Sequence, residues 1–395
     1  MNRIEEGFKL RTENKIIGAA RIEFALRQVK VPRRLMVRRL IETETDFDQF
    51  SDRHQAAGNL PDLNIGADIE SAFRNALSST CFENKIVDIL KKAEKSNINI
   101  ISPTDRYYPK NYLNLYSPPL FLSVIGSKLN ILKKSNIITV IGSRRPSPYG
   151  KGITQRFVSE WSALGVTICS GLARGIDGLA HEAALNEGGN TVAILGCGPD
   201  IVYPADNENI YNDIKENGLI VSEYLPGTPP RRQHFPARNR LLSSLGRCLI
   251  VVEATRRSGT MITTDFALDQ SIPVLAVPGN INSPASQGTN RLIQDGCDVL
   301  LEPADLIPYL DIEALGSGND VYNETYHTNF CNTETAQGIS QEAEHILSYL
   351  AAGPLYIEDL KEFSNLDSDK FYYWLTELEL VGKIAKQAGR YYRCQ

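Results

Sequence analysis

No uninterrupted apolar run in the sequence reaches the ~18 residues that a bilayer-spanning helix needs. The first residues, Met1-Asn2-Arg3-Ile4-Glu5-Glu6, have no apolar core of a secretory signal. A cytoplasmic protein without a membrane partner is expected. C-x-x-C, H-E-x-x-H and paired-histidine spacings are all missing, and the 7 cysteines form an odd, widely spaced set. No metal site is expected, and Cys169, Cys248 and Cys297 read as small reduced residues of buried strands. A dinucleotide cofactor is not expected either, because Gly196-Cys197-Gly198 lacks the third glycine of that fingerprint. The chain also lacks an excess of positive charge: 42 Lys+Arg stand against 47 Asp+Glu, for a net charge of -5. That balance excludes attraction of the whole chain to nucleic acid and leaves the task to a clustered face.

Such a cluster is present. Arg231-Arg232-Gln233-His234-Phe235-Pro236-Ala237-Arg238-Asn239-Arg240 carries four arginines, a histidine and an aromatic ring, with no carboxylate. It reads as a local surface for a polyanion, with Phe235 available to stack on a base. Arg33, Arg34, Arg38 and Arg39 are a weaker candidate, since Glu42, Glu44, Asp46 and Asp48 follow at once, as on a solvated helix face.

Four regions are expected. Residues 1–96 are polar with helical spacing at Ala20-Ile22-Phe24-Ala25-Leu26 and Val37-Leu40-Ile41, with a turn at Pro32-Arg33-Arg34. Across 97–310, short apolar runs alternate with amphipathic segments: 120–125, 137–141, 166–169, 191–195, 219–221, 248–252, 273–277 and 299–301. Continuous hydrophobicity within a strand is expected when helices cover both faces, so the fold class is α/β with a mostly parallel, doubly wound sheet. Residues 311–338 are too poor in apolar groups to pack and read as a linker. Residues 339–395 show three helical segments and a hairpin, the outline of a winged-helix domain.

In a doubly wound sheet the loops at the carboxyl ends of the strands bind ligands. Here they present glycine, hydroxyl and arginine in turn: Gly142-Ser143-Arg144-Arg145, then Gly171 and Arg174, then the basic stretch, then Arg256 with Ser258-Gly259-Thr260. Glycine admits a ligand close to the backbone, a helix start offers unpaired N–H groups, and the guanidinium fork suits phosphate. A row of such turns suits a chain of phosphates. Asp177 and His181 share one helix face and read as a capping aspartate and a structural histidine.

These residues resemble the DprA/Smf family of DNA-processing proteins. The resemblance rests on Gly142-Ser143-Arg144, Ser170-Gly171-Leu172-Ala173-Arg174-Gly175-Ile176-Asp177, Phe235-Pro236-Ala237-Arg238-Asn239-Arg240, Ser258-Gly259-Thr260 and Pro278-Gly279-Asn280, in the family's order. It implies an extended Rossmann-like domain, with an N-terminal helical, SAM-like domain and a C-terminal winged-helix domain. It further implies a non-catalytic dimer that binds and protects single-stranded DNA and loads RecA recombinase in natural transformation and recombination. By the same resemblance Arg144 clasps a phosphate, while Phe235, Arg238, Asn239 and Arg240 line the DNA pocket. The family's usual lysine in the Tyr-Pro-Lys turn is replaced by Ala205, with Arg174, Arg231 and Arg232 as substitutes.

Two other readings compete. A phosphoribohydrolase of the LOG type needs a glutamate after its Gly-Thr turn, and Thr263 stands there, with no accessible pKa for acid/base work. A winged-helix transcription factor needs a base-reading helix, and the third C-terminal helix offers Lys370 flanked by Asp367 and Asp369.

Overall fold

The computed structural model describes residues 3–312, 314, 341–350, 355–364, 366–380, 383–387 and 390–393. The chain divides into two compact units, Met1–Asn319 and Asp320–Gln395.

The first unit begins with helices. Arg3–Val29 ends before Pro32, which fixes the extended entry (φ -62, ψ 126) to the helix Arg33–Glu42, and Ala67–Leu77 and Glu83–Ser96 follow. Phe47, Phe50 and Phe73 are fully buried among them, each worth about 1.5–3 kcal/mol relative to exposure. The first helix passes so close to the next loop that a Cβ at Gly18 would stand 1.7 Å from the Phe47 carbonyl oxygen. Arg21, 2 % exposed, donates to the carbonyls of Phe50 (3.1 Å) and Leu77 (3.2 Å), so this buried charge is matched by backbone dipoles and by Glu83.

The helices share one buried cluster with the edge of the sheet, where Phe47 meets Phe121 edge-on at 6.4 Å. The change at residues 96 and 97 is therefore one of secondary structure within a continuous core.

The strands are β1 (Asn99–Ile101), β2 (Leu122–Ile125), β3 (Ile137–Ile141), β4 (Thr167–Ser170), β5 (Thr191–Leu195), β6 (Leu219–Ser222), β7 (Leu249–Val251), β8 (Val274–Ala276) and β9 (Asp298–Val299). They form one sheet in the order β1-β2-β6-β5-β4-β3-β7-β8-β9. All pairs from β6 to β9 are parallel, while β1–β2 and β2–β6 are antiparallel. Every residue of β2 to β8 is buried, which is why these strands read as unbroken apolar runs. β9 differs from expectation: as the last strand it is exposed, Leu301 beyond it is 69 % exposed, and Cys297 is half-buried.

The path of the chain creates the site. From β3 it steps outward through β4, β5 and β6, then returns to the other side of β3 with β7 and continues to β8 and β9. Connections leaving β3 and β7 diverge, and their carboxyl ends flank a crevice at the topological switch point.

The second unit holds helices Gln341–Leu350, Ile357–Ser364 and Ser368–Leu380, with a small antiparallel sheet of β10 (Leu355–Tyr356), β11 (Ile384–Gln387) and β12 (Arg390–Arg393). Ile346, Leu360, Phe371, Leu375 and Leu378 make its own core. Of the expected linker at 311–338, all but 311, 312 and 314 lies outside the described residues. No described helix is long and apolar enough to cross a membrane.

Candidate nucleic-acid interface

The crevice between β3 and β7 is a cleft of about 960 Å³. One wall starts at Gly142, where a Cβ would approach Ile176 to 2.7 Å, so glycine is required there. Ser143 Oγ accepts the Arg145 N–H at 3.1 Å and fixes the turn that sends Arg144 and Arg145 outward. The helix Pro148–Ala163 then starts at Ser147, whose N–H and hydroxyl donate to the two carboxylate oxygens of Glu253 at 2.9 and 2.5 Å. Glu253, 2 % exposed just beyond β7, is thus consumed in holding the helix start.

A second carboxylate near the cleft is likewise tied to backbone. Asp177 Oδ2 accepts the N–H groups of Gly171 (3.2 Å) and Ala173 (3.4 Å), capping the loop after β4. Burial pushes its carboxyl above the usual carboxylate range, opposed by Arg238 and by those N–H groups. His181, fully buried, sets Nδ1 2.6 Å from Thr191 Oγ1, and burial with the nearby Arg238 charge pushes its imidazole down to about 3. It is a neutral structural histidine, and its hydrogen bond goes to Thr191 while Asp177 is bonded to backbone N–H groups.

The opposite wall comes from the helix His234–Leu245. Phe235 is half-buried and packs against Tyr203, ring centroids 5.3 Å apart and planes at 37°, and both rings line the cleft. The floor is closed by Ser258-Gly259-Thr260 at the start of the helix Gly259–Asp269. Thr260 Oγ1 donates to the Gly142 carbonyl at 3.1 Å, joining floor to wall. Ser258 Oγ is buried without a hydrogen-bond partner among the described residues, and the adjacent helix start offers N–H groups to an anion.

The arginines of the sequence pattern fall into different classes. Arg144, Arg145 and Arg232 are exposed, line the cleft, and have no ion pair among the described residues. Arg238 lines it too but is 5 % exposed: it donates to the carbonyls of Gly171 (3.0 Å) and Ile194, tying β4 and β5 to the basic helix. Arg240 is paired with the buried Glu223. Arg174 is paired with Asp206, both more than half exposed, an arrangement worth little and easily exchanged. Arg231 and Arg256 are exposed outside the cleft, and Gly171 lies behind Arg238. Asn239 lines the cleft, and Ala205 is exposed in a turn away from it.

Of the expected residues, the cleft therefore gathers Gly142, Ser143, Arg144, Arg145, Arg232, Phe235, Arg238, Asn239, Ser258, Gly259 and Thr260, and leaves out Gly171, Arg174, Arg231, Arg240 and Arg256. Tyr203 is one of the lining residues that the sequence pattern passed over, together with Thr255, Ile262 and Ser283. An aromatic residue in the loop after β5 was the only signal for Tyr203, and the pairing with Phe235 depends on the fold.

Residues 99–311 match the model of the family described as DNA recombination-mediator protein A. The DNA processing protein DprA of Bacillus subtilis (strain 168) is 32 % identical over 256 residues, covering 65 % of this chain and 84 % of that protein. Protein Smf of Escherichia coli (strain K12) is 33 % identical over 301 residues, covering 76 % and 78 %. The X-ray structure of DNA processing protein A from Streptococcus pneumoniae superposes with a TM-score of 0.58 at 29 % identity, covering 78 % of this chain and 97 % of that one.

Proposed function

Since the chain belongs to the DNA recombination-mediator protein A family, we propose that its switch-point cleft binds single-stranded DNA, without base-specific readout and without chemistry on the strand. One observation carries this reading: the exposed guanidinium groups of Arg144, Arg145 and Arg232, without an ion pair among the described residues, share a cleft with the Tyr203–Phe235 ring pair. Backbone-tracking cations beside a stacking platform are what a flexible single strand requires. Arg144, Arg145 and Arg232 take phosphates, the backbone from Gly142 and Ser258 to Thr260 approaches the strand, and Phe235 with Tyr203 takes a base. Arg238 and Arg240 act by holding the basic helix in place.

The non-catalytic part of the reading is supported by the state of the acids. Asp177 and Glu253 are bound to backbone and cap groups, and Thr263, buried and on the cleft wall, holds the position where a hydrolase of the LOG type needs a carboxylate. Further elements of the proposal are a homodimer that works in the cytoplasm, protects incoming strands and loads RecA recombinase during natural transformation. The domain arrangement proposed with it is helical to residue 96, Rossmann-like to 310, linker to 338 and winged helix to 395, the last a partner-contact or weak duplex-binding unit rather than a promoter reader. Equilibrium binding of single-stranded oligonucleotides by the full chain tests the core of the proposal. Release of free base from AMP would overturn its non-catalytic part.

A further inference from the structure

We infer that the strand continues past the cleft, over Arg144 and Arg145, into a second groove where Lys151 holds a further phosphate. The inference rests on the single-strand reading above and extends it to a binding surface outside the switch point. The groove, about 410 Å³, lies between the start of the helix Pro148–Ala163 and the helix Ile176–Asn186, with Asn207 on its wall. Arg144 and Arg145 line both cavities, so the two are adjacent and these guanidinium groups form the ridge between them.

The charge inside the groove is opposite to that of the chain. Arg144, Arg145 and Lys151 face it against a single carboxylate, Glu182, in a protein of net charge -5. Lys151 is exposed, and among the described residues no hydrogen bond or ion pair holds its ammonium group. Asn207 is already committed, its Nδ2 donating to the carbonyls of Leu172 (3.0 Å) and Ala173 (2.9 Å). The ligand contacts of the groove are thus the cations. A lone phosphate would be satisfied at the ridge, whereas a chain of phosphates leaving the cleft meets Arg144, Arg145 and then Lys151 in sequence. Lysine suits this role, since a point charge on a flexible stem follows a mobile backbone without demanding one geometry.

The test is fluorescence anisotropy with the full chain and oligo-dT of increasing length across a salt series, comparing wild type with Lys151→Gln and Lys151→Arg. For long oligonucleotides Lys151→Gln should flatten the slope of log K against log[salt] by about 0.7, one single-strand contact, which is about fivefold weaker binding at 0.1 M than at 1 M relative to wild type. Lys151→Arg should keep wild-type behaviour, and the shortest oligonucleotides that bind, which fill the cleft alone, should not distinguish the three proteins. Wild-type affinity of Lys151→Gln at every length overturns the second groove while leaving the cleft reading intact. A loss equal at all lengths overturns the continued path, placing Lys151 at the first site. Failure of the wild-type chain to bind any single strand overturns both.

Discussion

Arg240 Nη2 lies 2.5 Å from Glu223 Oε2, and the Glu223 side chain is only 3 % exposed. Arg33, from the N-terminal helices, stands 4.0 Å from the same oxygen. The most C-terminal arginine of the basic stretch therefore anchors the cleft wall to a buried carboxylate and, through it, to the helical segment.

Arg240→Ala should accordingly act on stability. Removing one partner of a buried pair leaves an uncompensated charge, and about 3 kcal/mol is expected, the low end of the range because Arg33 remains nearby. Urea denaturation measures it. The folded protein should bind DNA with an unchanged salt slope; a slope flattened by one contact would make Arg240 a phosphate ligand.

Phe235→Ala removes the inner half of the aromatic wall. Single-strand affinity should fall by about 1–3 kcal/mol with the salt slope unchanged, because stacking releases no counterions. Tyr203→Ala should show a loss of the same kind. If both variants lose stability and keep affinity, the rings serve packing alone.

His181 gives the protein an acid limb. Its folded pKa is depressed to about 3, against about 6.5 in an unfolded chain, so below about pH 6.5 the unfolded state takes up a proton that the folded state refuses. Stability is fully present above that pH and is lost towards pH 3 by about 1.4 kcal/mol per unit from this group. Urea midpoints at pH 7, 6 and 5 should fall more steeply for wild type than for His181→Asn; parallel profiles would contradict the assignment.

Removing residues 339–395 takes away a unit with its own core. Most single-strand affinity should survive in the remaining chain. Collapse of binding in a folded truncation would move the site out of the cleft.

The sheet was legible because burial on both faces writes a strand as a run of apolar residues, as in Ile137–Ile141 and Thr191–Leu195. β1 was not, being three residues long with Asn99 at its start, and β9 lost its cover at the sheet edge. The turns at Gly142–Arg145 and Gly171–Arg174 are loops as expected, whereas most of the basic stretch, from His234 on, and Gly259-Thr260 are already helix. The fate of each arginine was hidden, because it is set by partners distant in sequence: Glu223 for Arg240 at 17 residues, Asp206 for Arg174 at 32, and the Gly171 carbonyl for Arg238 at 67. Spacing along the chain names the cations, and only the fold decides which remain unpaired.

That decision is open to one direct measurement, the binding of a single-stranded oligonucleotide by wild type and Arg144→Ala across a salt series, beside a duplex of equal length. Arg144, Arg145 and Arg232 at the cleft and Lys151 beyond it amount to about four contacts, so the wild-type slope should be about -3 and that of Arg144→Ala flatter by about 0.7. The single strand should bind more tightly than the duplex at every salt concentration. Equal affinity for duplex, or a slope untouched by Arg144→Ala, would contradict a single-strand site at the switch point.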